Sequence, residues 1–133
     1  MDFELTNLCS LDLELYKCVS SKIATSRVVL TEKSVIHIAE HHPDAYLRVL
    51  VELKETIQNP DYIFNDDKHE DTALVVKRVS DPPDSLESTF VVLRICTDTA
   101  NGQLANSVIS GWTISKSRLQ NYLRNKAILY KKV

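Results

Sequence analysis

Hydrophobic and polar positions along this chain change their period once, near residue 60. Before that point the apolar spacing is mostly helical. Leu11, Leu13 and Leu15 alternate with Asp12, Glu14 and Tyr16, which predicts a strand, although Leu11, Leu15 and Val19 would also line one helix face. The run Arg27-Val28-Val29-Leu30 predicts a short strand. Thr31 then makes a good N-cap, with Glu32 in the first turn where the helix dipole favours an anion. The helix should stop near His42, because the residue before a proline is pushed out of the α region. Pro43 suits the first position of a second helix, whose Tyr46, Leu50, Leu53 and Ile57 recur at helical spacing until Asn59-Pro60 ends it.

From there the runs are rich in β-branched and aromatic residues: Tyr62 to Phe64, Thr72 to Val79, Thr89 to Thr97 and Asn106 to Thr113. Polar loops separate them, notably Asp81-Pro82-Pro83-Asp84 and Asn101-Gly102. Ser115 caps a short helix containing Leu119, Tyr122 and Leu123, and Ala127 to Tyr130 returns as a final strand. The expected class is α+β. N-terminal helices pack on one face of an antiparallel, roughly four-stranded meander, followed by a short helix and a last strand. The pattern suits one domain over 1–133, with 1–26 as an extension whose structure it leaves open. No internal repeat or low-complexity tract interrupts it.

Composition changes this picture little. The chain has 133 residues, 44% hydrophobic and 26% charged, enough for a core of its own and without an apolar run long enough to span a bilayer. Met1-Asp2-Phe3-Glu4 is acidic where a secretory signal is basic, and Cys9, Cys18 and Cys96 lack metal-type spacing. A reducing cytoplasm with free thiols is the expected setting. Charge is lopsided: residues 1–71 carry 7 Lys/Arg and 14 Asp/Glu, residues 72–133 carry 9 and 4. The last 35 residues hold no acid, so Lys116, Arg118 and Lys131 could face phosphates; equally, they could be solvated charges balancing the acidic half.

The candidate chemistry begins with three of the four histidines, His37, His41 and His42, gathered within six residues at one predicted helix end. Three readings are open. His37-Ile38-Ala39-Glu40-His41 matches the H-x-x-E-H pattern of inverted zinc peptidases, but such an enzyme needs a third protein ligand, and the chain has no glutamate after Glu87. Histidines at a helix C-terminus also interact with the last carbonyls and the dipole without any catalytic duty. General acid/base catalysis is the third reading, and it requires donors for developing negative charge. Arg94 interrupts the apolar face of Phe90, Val92 and Cys96, and Lys77 sits similarly between Val75 and Val79. A charge in an apolar stripe is costly unless paired or used, though a long side chain can also snorkel to solvent. Asn106 to Thr113 adds Ser107 and Ser110 on opposite faces of a regular strand, and Trp112, better suited to core than to base stacking.

In order and spacing, these features resemble the phage-type barnase/EndoU/colicin/RelE-like nuclease domains. The residues are Val28-Val29-Leu30-Thr31-Glu32-Lys33, His37-Ile38, His42-Pro43, Asn59-Pro60-Asp61-Tyr62-Ile63, Thr72-Ala73-Leu74, Val92-Leu93-Arg94, Asn106-Ser107 with Trp112, and Tyr122-Leu123-Arg124-Asn125 with Leu129-Tyr130-Lys131. The resemblance runs from about Leu15 to Lys132. It implies a metal-independent ribonuclease without a cofactor, of prokaryotic or mobile-element origin, cutting RNA by attack of the ribose 2′-hydroxyl on the adjacent phosphate. Carried over residue by residue, His37 and His42 become the proton-transfer groups, and Arg94 with Ser107 or Ser110 stabilises the phosphorane. His41 falls where a basic residue is expected and would contact phosphate, with Lys77, Lys116, Arg118 and Lys131 as further substrate contacts. On an uninterrupted helix His42 lies about 140° from His37, at roughly 100° per residue, so the pair requires the helix to unwind before Pro43.

The implied partners are RNA, with tRNA among the candidates, and an immunity or antitoxin protein if the domain is a toxin; no membrane is implied. Two other classes stay open. One is a nuclease-like fold that only binds RNA or a protein. The other is the zinc hydrolase built on His37, Glu40 and His41.

Overall fold

The computed structural model describes residues 5–79, 86–100 and 104–133; the expected loops at Asp81-Pro82-Pro83-Asp84 and Asn101-Gly102 lie outside them. In chain order the elements are β1 (Leu5–Ser10), α1 (Leu13–Tyr16), β2 (Arg27–Thr31), α2 (Glu32–His41), α3 (Tyr46–Gln58), β3 (Tyr62–Asn65), β4 (Thr72–Arg78), β5 (Ser88–Arg94), β6 (Asn106–Ile114), α4 (Lys116–Asn125) and β7 (Ile128–Lys131). The mixed α+β class holds. The sheet is larger than the expected four strands: seven strands run in the order β1-β2-β6-β5-β4-β3-β7. All neighbours are antiparallel except β2 and β6, which are parallel. Strand periodicity predicts each run separately but says nothing about which distant run supplies its partner, and the additions are such distant pairings.

Two local expectations fail for identifiable reasons. The strand expected over Leu11 to Tyr16 is instead the short helix α1. The Asp12 side chain accepts from the Leu15 N–H at 3.1 Å, and helical winding lets the buried Tyr16 hydroxyl donate to the Ile57 carbonyl at 2.7 Å. The second helix begins at Tyr46, not at Pro43, because residues 43–45 turn the chain, with the Ala45 N–H donating to the His42 carbonyl at 3.0 Å. Thr31 and Ser115 cap α2 and α4 as expected, accepting from Ser34 and Arg118.

The two faces of the sheet are packed differently. On one, α3 lays Val49, Leu53 and Ile57 over Ile63, Ala73, Val75, Val91, Leu93 and Val108, all essentially inaccessible to water. Burying each such side chain contributes about 1.5–3 kcal/mol. Gly111 lets α3 approach, since a Cβ there would lie 2.7 Å from Val49 Cγ1. The opposite face carries Phe64, Leu74, Val76 and Phe90, and α4 covers it only in part, through Leu119, Tyr122 and Leu123. The expectation of helices on a single face is thereby corrected: α4 packs on the other one, because the alternate positions of β3, β4 and β5 are apolar too. The rest of this second face is open.

Candidate active site

A register irregularity in β6 builds the floor of the open face. Val92 pairs with Ser110 and Leu93 with Val108, so Ile109 is an extra residue in the ladder. Ser107 and Ser110, three positions apart, would face opposite ways on a regular strand. Across the bulge both share the face of their partners, Arg94 and Val92. Arg94 therefore lies in a row between Thr72 on β4 and Ser107 on β6, and Ser110 lies one row along. Arg94 is exposed, its guanidinium side on the open face; Ser110 is buried, and its hydroxyl has no hydrogen-bond partner among the described residues. A buried unsatisfied hydroxyl costs stability, and Thr56 and Thr89 each carry one as well.

The histidines arrive from the edge of this floor. Strands β2 and β6 pair only at Val28–Asn106 and Val29–Ser107, after which α2 packs alongside β6. Ile38 buries its side chain in the core, which leaves His37 and His41 on the exposed side, one turn apart. Their rings stack with centroids 4.2 Å apart, and His41 Nδ1 lies 3.0 Å from the His37 carbonyl oxygen. His42 is the C-cap, at φ −134° and ψ 57°, with its backbone N–H still donating to the Ile38 carbonyl at 2.8 Å. The helix does unwind before Pro43, and His42 swings onto Trp112, ring centroids 4.9 Å apart. Trp112 in turn stacks on Phe90 at 4.7 Å. Partial burial, reinforced by the neighbouring His37 and His41, holds the His42 imidazole below its usual value of 6.5. Such a ring is unprotonated near neutral pH and able to accept a proton.

His37, His41 and His42 line one cleft of about 650 Å³ together with Arg94, Ser110 and Trp112. The cleft also takes residues that the sequence pattern does not reveal: Asp66, Asp67, Lys68 and His69 from the β3–β4 connection, Tyr122 from α4 and Lys126 from its C-cap. All four histidines of the chain thus meet around one cavity. His69 Nδ1 lies 3.2 Å from Asp66 Oδ2. The only sequence signal for it is chemical, a fourth histidine in the polar stretch Asn65-Asp66-Asp67-Lys68-His69-Glu70-Asp71 between two strands. An adjoining lobe of about 700 Å³ shares Lys68, His69 and Arg94 and adds Arg27 and Ser107, so Arg94 stands where the two lobes meet.

The remaining expected residues lie elsewhere. Lys77 is on the α3 face, where its Nζ donates to the Asn59 carbonyl at 2.9 Å and approaches Glu55 at 4.0 Å, so its charge serves the C-terminus of α3. Lys131 pairs with Tyr62 on the edge strand β7, away from the cleft lining. Lys116 lines a separate recess with Tyr62 and Arg78. Arg118 alone of the expected C-terminal cations approaches the histidines, in a shallow recess with His41, His42 and Trp112. For the zinc pattern, His37 and His41 do share a helix face, but no group of three or more His, Cys, Asp or Glu side chains among the described residues is arranged to hold a metal ion.

Imidazoles and a central arginine, with Lys68 and Lys126 set among Asp66 and Asp67 at the rim, define a cleft suited to acid/base chemistry on a phosphodiester. Comparison with protein families agrees in class: the family described as phage-Barnase-EndoU-ColicinE5/D-RelE like nuclease2 matches residues 12–131, and the chain belongs to it. Its substrate is therefore nucleic acid. No curated protein and no solved structure matches the chain.

Proposed function

We propose that this protein is an endoribonuclease that cuts RNA by transesterification, using its own imidazoles and needing no metal ion. The observation that carries this reading is the convergence of His37, His42 and Arg94 on one cleft, with His42 held in its proton-accepting form. His42 takes the proton of the ribose 2′-hydroxyl, the 2′-oxygen attacks the adjacent phosphorus, and the bond to the 5′-oxygen breaks as that oxygen is protonated. Arg94, with Ser107 beside it, supplies donors for the charge that develops on the phosphorane oxygens, and the unpartnered Ser110 hydroxyl lies buried in the floor one row away. His41 and Arg118 lie where a flanking phosphate would pass.

We further propose an effector or toxin acting in a cytoplasm, with tRNA among its candidate substrates and an immunity or antitoxin protein as its counterpart; the family match itself reaches as far as a phage-type nuclease. Among the described residues no helix is long and apolar enough to cross a membrane, and Cys9, Cys18 and Cys96 are free thiols, as a reducing compartment would keep them. Incubation with total cellular RNA in EDTA tests the reading. The expected products carry 2′,3′-cyclic phosphate and 5′-hydroxyl ends. Intact RNA, or cleavage only on addition of a divalent metal, overturns it.

A further inference from the structure

Resting on that ribonuclease reading, we infer that His69, oriented by Asp66, is the general acid that protonates the leaving 5′-oxygen, across the cleft from His42. Three independent features lead there. First, His69 lines the same cleft as His42 but enters on the β3–β4 connection instead of α2, and the strand order places that connection on the other side of β5 from the β2–β6 edge where α2 packs. A general acid and a general base for an in-line displacement must approach the phosphorus from opposite sides, which neighbours on one helix end cannot do.

Second, among the described residues His69 is the one histidine with a carboxylate partner. With Nδ1 3.2 Å from Asp66 Oδ2, the Nδ1–H donates to the carboxylate and Nε2 is left for the substrate. Although burial alone would raise the Asp66 carboxyl, the Lys68 backbone N–H at 2.9 Å and the His69 contact hold it below the ordinary carboxylate range, so it is ionised at neutral pH. An ionised carboxylate on one ring nitrogen fixes the tautomer and the ring's orientation, so the acidic form carries its second proton on Nε2. His37 and His41 lack this arrangement; their rings stack on each other and His41 faces a main-chain carbonyl.

Third, the connection that carries His69 is held in place. Asp71 adopts φ 55°, a left-handed conformation unusual outside glycine, and its carbonyl accepts from the Ile95 N–H at 2.8 Å. That bond ties the loop to the end of β5, immediately beside Arg94. That tie holds the loop bearing Lys68 and His69 beside Arg94, at the seam that both lobes share.

In the resulting step His42 gains the 2′-hydroxyl proton, the new bond forms between the 2′-oxygen and phosphorus, the bond from phosphorus to the 5′-oxygen breaks, and His69 gives its Nε2 proton to that oxygen. The products are a 2′,3′-cyclic phosphate and a 5′-hydroxyl, and solvent restores both rings.

A leaving group that needs no proton isolates this role. An RNA oligonucleotide cut by the wild type is compared with the same oligonucleotide carrying sulfur in place of the bridging 5′-oxygen at the scissile phosphate, because a thiolate departs unaided. His69→Ala should cut the oxygen substrate about 10²-fold more slowly and the sulfur substrate within about threefold of wild type, as expected for loss of a general acid alone. His42→Ala should be slow on both. Asp66→Asn, a change at a positioning residue, should lose about 10-fold on the oxygen substrate and regain it on sulfur, a pattern that damaged folding would not produce. Equal losses on both substrates for His69→Ala, undiminished activity on the oxygen substrate, or sulfur rescue of His37→Ala in place of His69→Ala would each overturn the assignment. A wild type that cuts neither oligonucleotide would instead overturn the ribonuclease reading on which it rests.

Discussion

The two faces of the sheet share the same strands and differ in almost everything else. On the α3 side Ala73, Val75, Val91 and Leu93 are sealed, and the cation on those strands, Lys77, is tied to the end of a helix. On the other side the same strands present Thr72, Val92 and Arg94, and α4 stops short of covering them. One face holds the fold together and the other keeps polar groups available. A strand that alternates strictly can do both at once, because successive side chains never compete for the same environment.

Variants can break this division. The largest effect is expected at the centre of the sealed face, where Leu53→Ala should lower unfolding free energy by about 2–5 kcal/mol through a cavity that α3 cannot close. Denaturant titration would read it, and the specific activity of the folded fraction should not change. Arg94→Gln should do the reverse. Turnover should fall about 10² to 10³-fold, the range for removing one electrostatic donor, with no change in melting temperature. If melting collapses while folded molecules keep their activity, Arg94 is structural and the faces are less distinct than they look.

His42→Ala should cost about 10²-fold or more in cleavage with the fold intact, and His37→Ala and His41→Ala less. His42 also makes a pH prediction. Its imidazole is held below 6.5, so the folded protein binds fewer protons than the unfolded chain just under that pH. Stability therefore rises with pH through this window, and the cost appears as pH falls from the unfolded value toward the folded one. In wild type the acid limb of kcat/KM should lie below pH 6.5 and disappear in the residual activity of His42→Ala.

Gly111→Ala sharpens the comparison from within β6, since its Cβ would press into α3 while Ser110 and Trp112 on either side face the cleft. A loss of about 1–3 kcal/mol is expected, with Val49 forced to move. The smallest effect separates the C-terminal cations. Arg118→Gln should flatten the log-log salt dependence of RNA binding by up to about 0.7, measured in a cleavage-deficient His42→Ala background, and Lys131→Gln should leave it unchanged.

Much of the chain was legible from its own residues. The helix over Glu32–His41, its cap at Thr31, its unwinding before Pro43 and the strand character of the segments after residue 60 follow from short-range chemistry: a hydroxyl on free N–H groups, a ring that forbids an α conformation, alternating side chains. Arg94 was legible as a charge on an apolar face, and the histidine cluster as a concentration of one residue type. The α1 segment was misread because three leucines satisfy period two as well as a helix face, and Asp12 decided between them by capping.

Tertiary structure alone decided what those residues meet. Whether Ser107 and Ser110 share a face depended on one bulged residue, which pattern cannot register. The pairing of β2 with β6 set α2 beside the open face, and the β3–β4 connection delivered Asp66 and His69 to the same cleft. Lys77 and Lys131 were drawn away by register and by a helix terminus in need of a cation. Periodicity is a property of neighbouring residues, so it reports on elements; a cleft is made by elements far apart in the chain, and their positions follow from strand order and from which apolar surfaces must be covered.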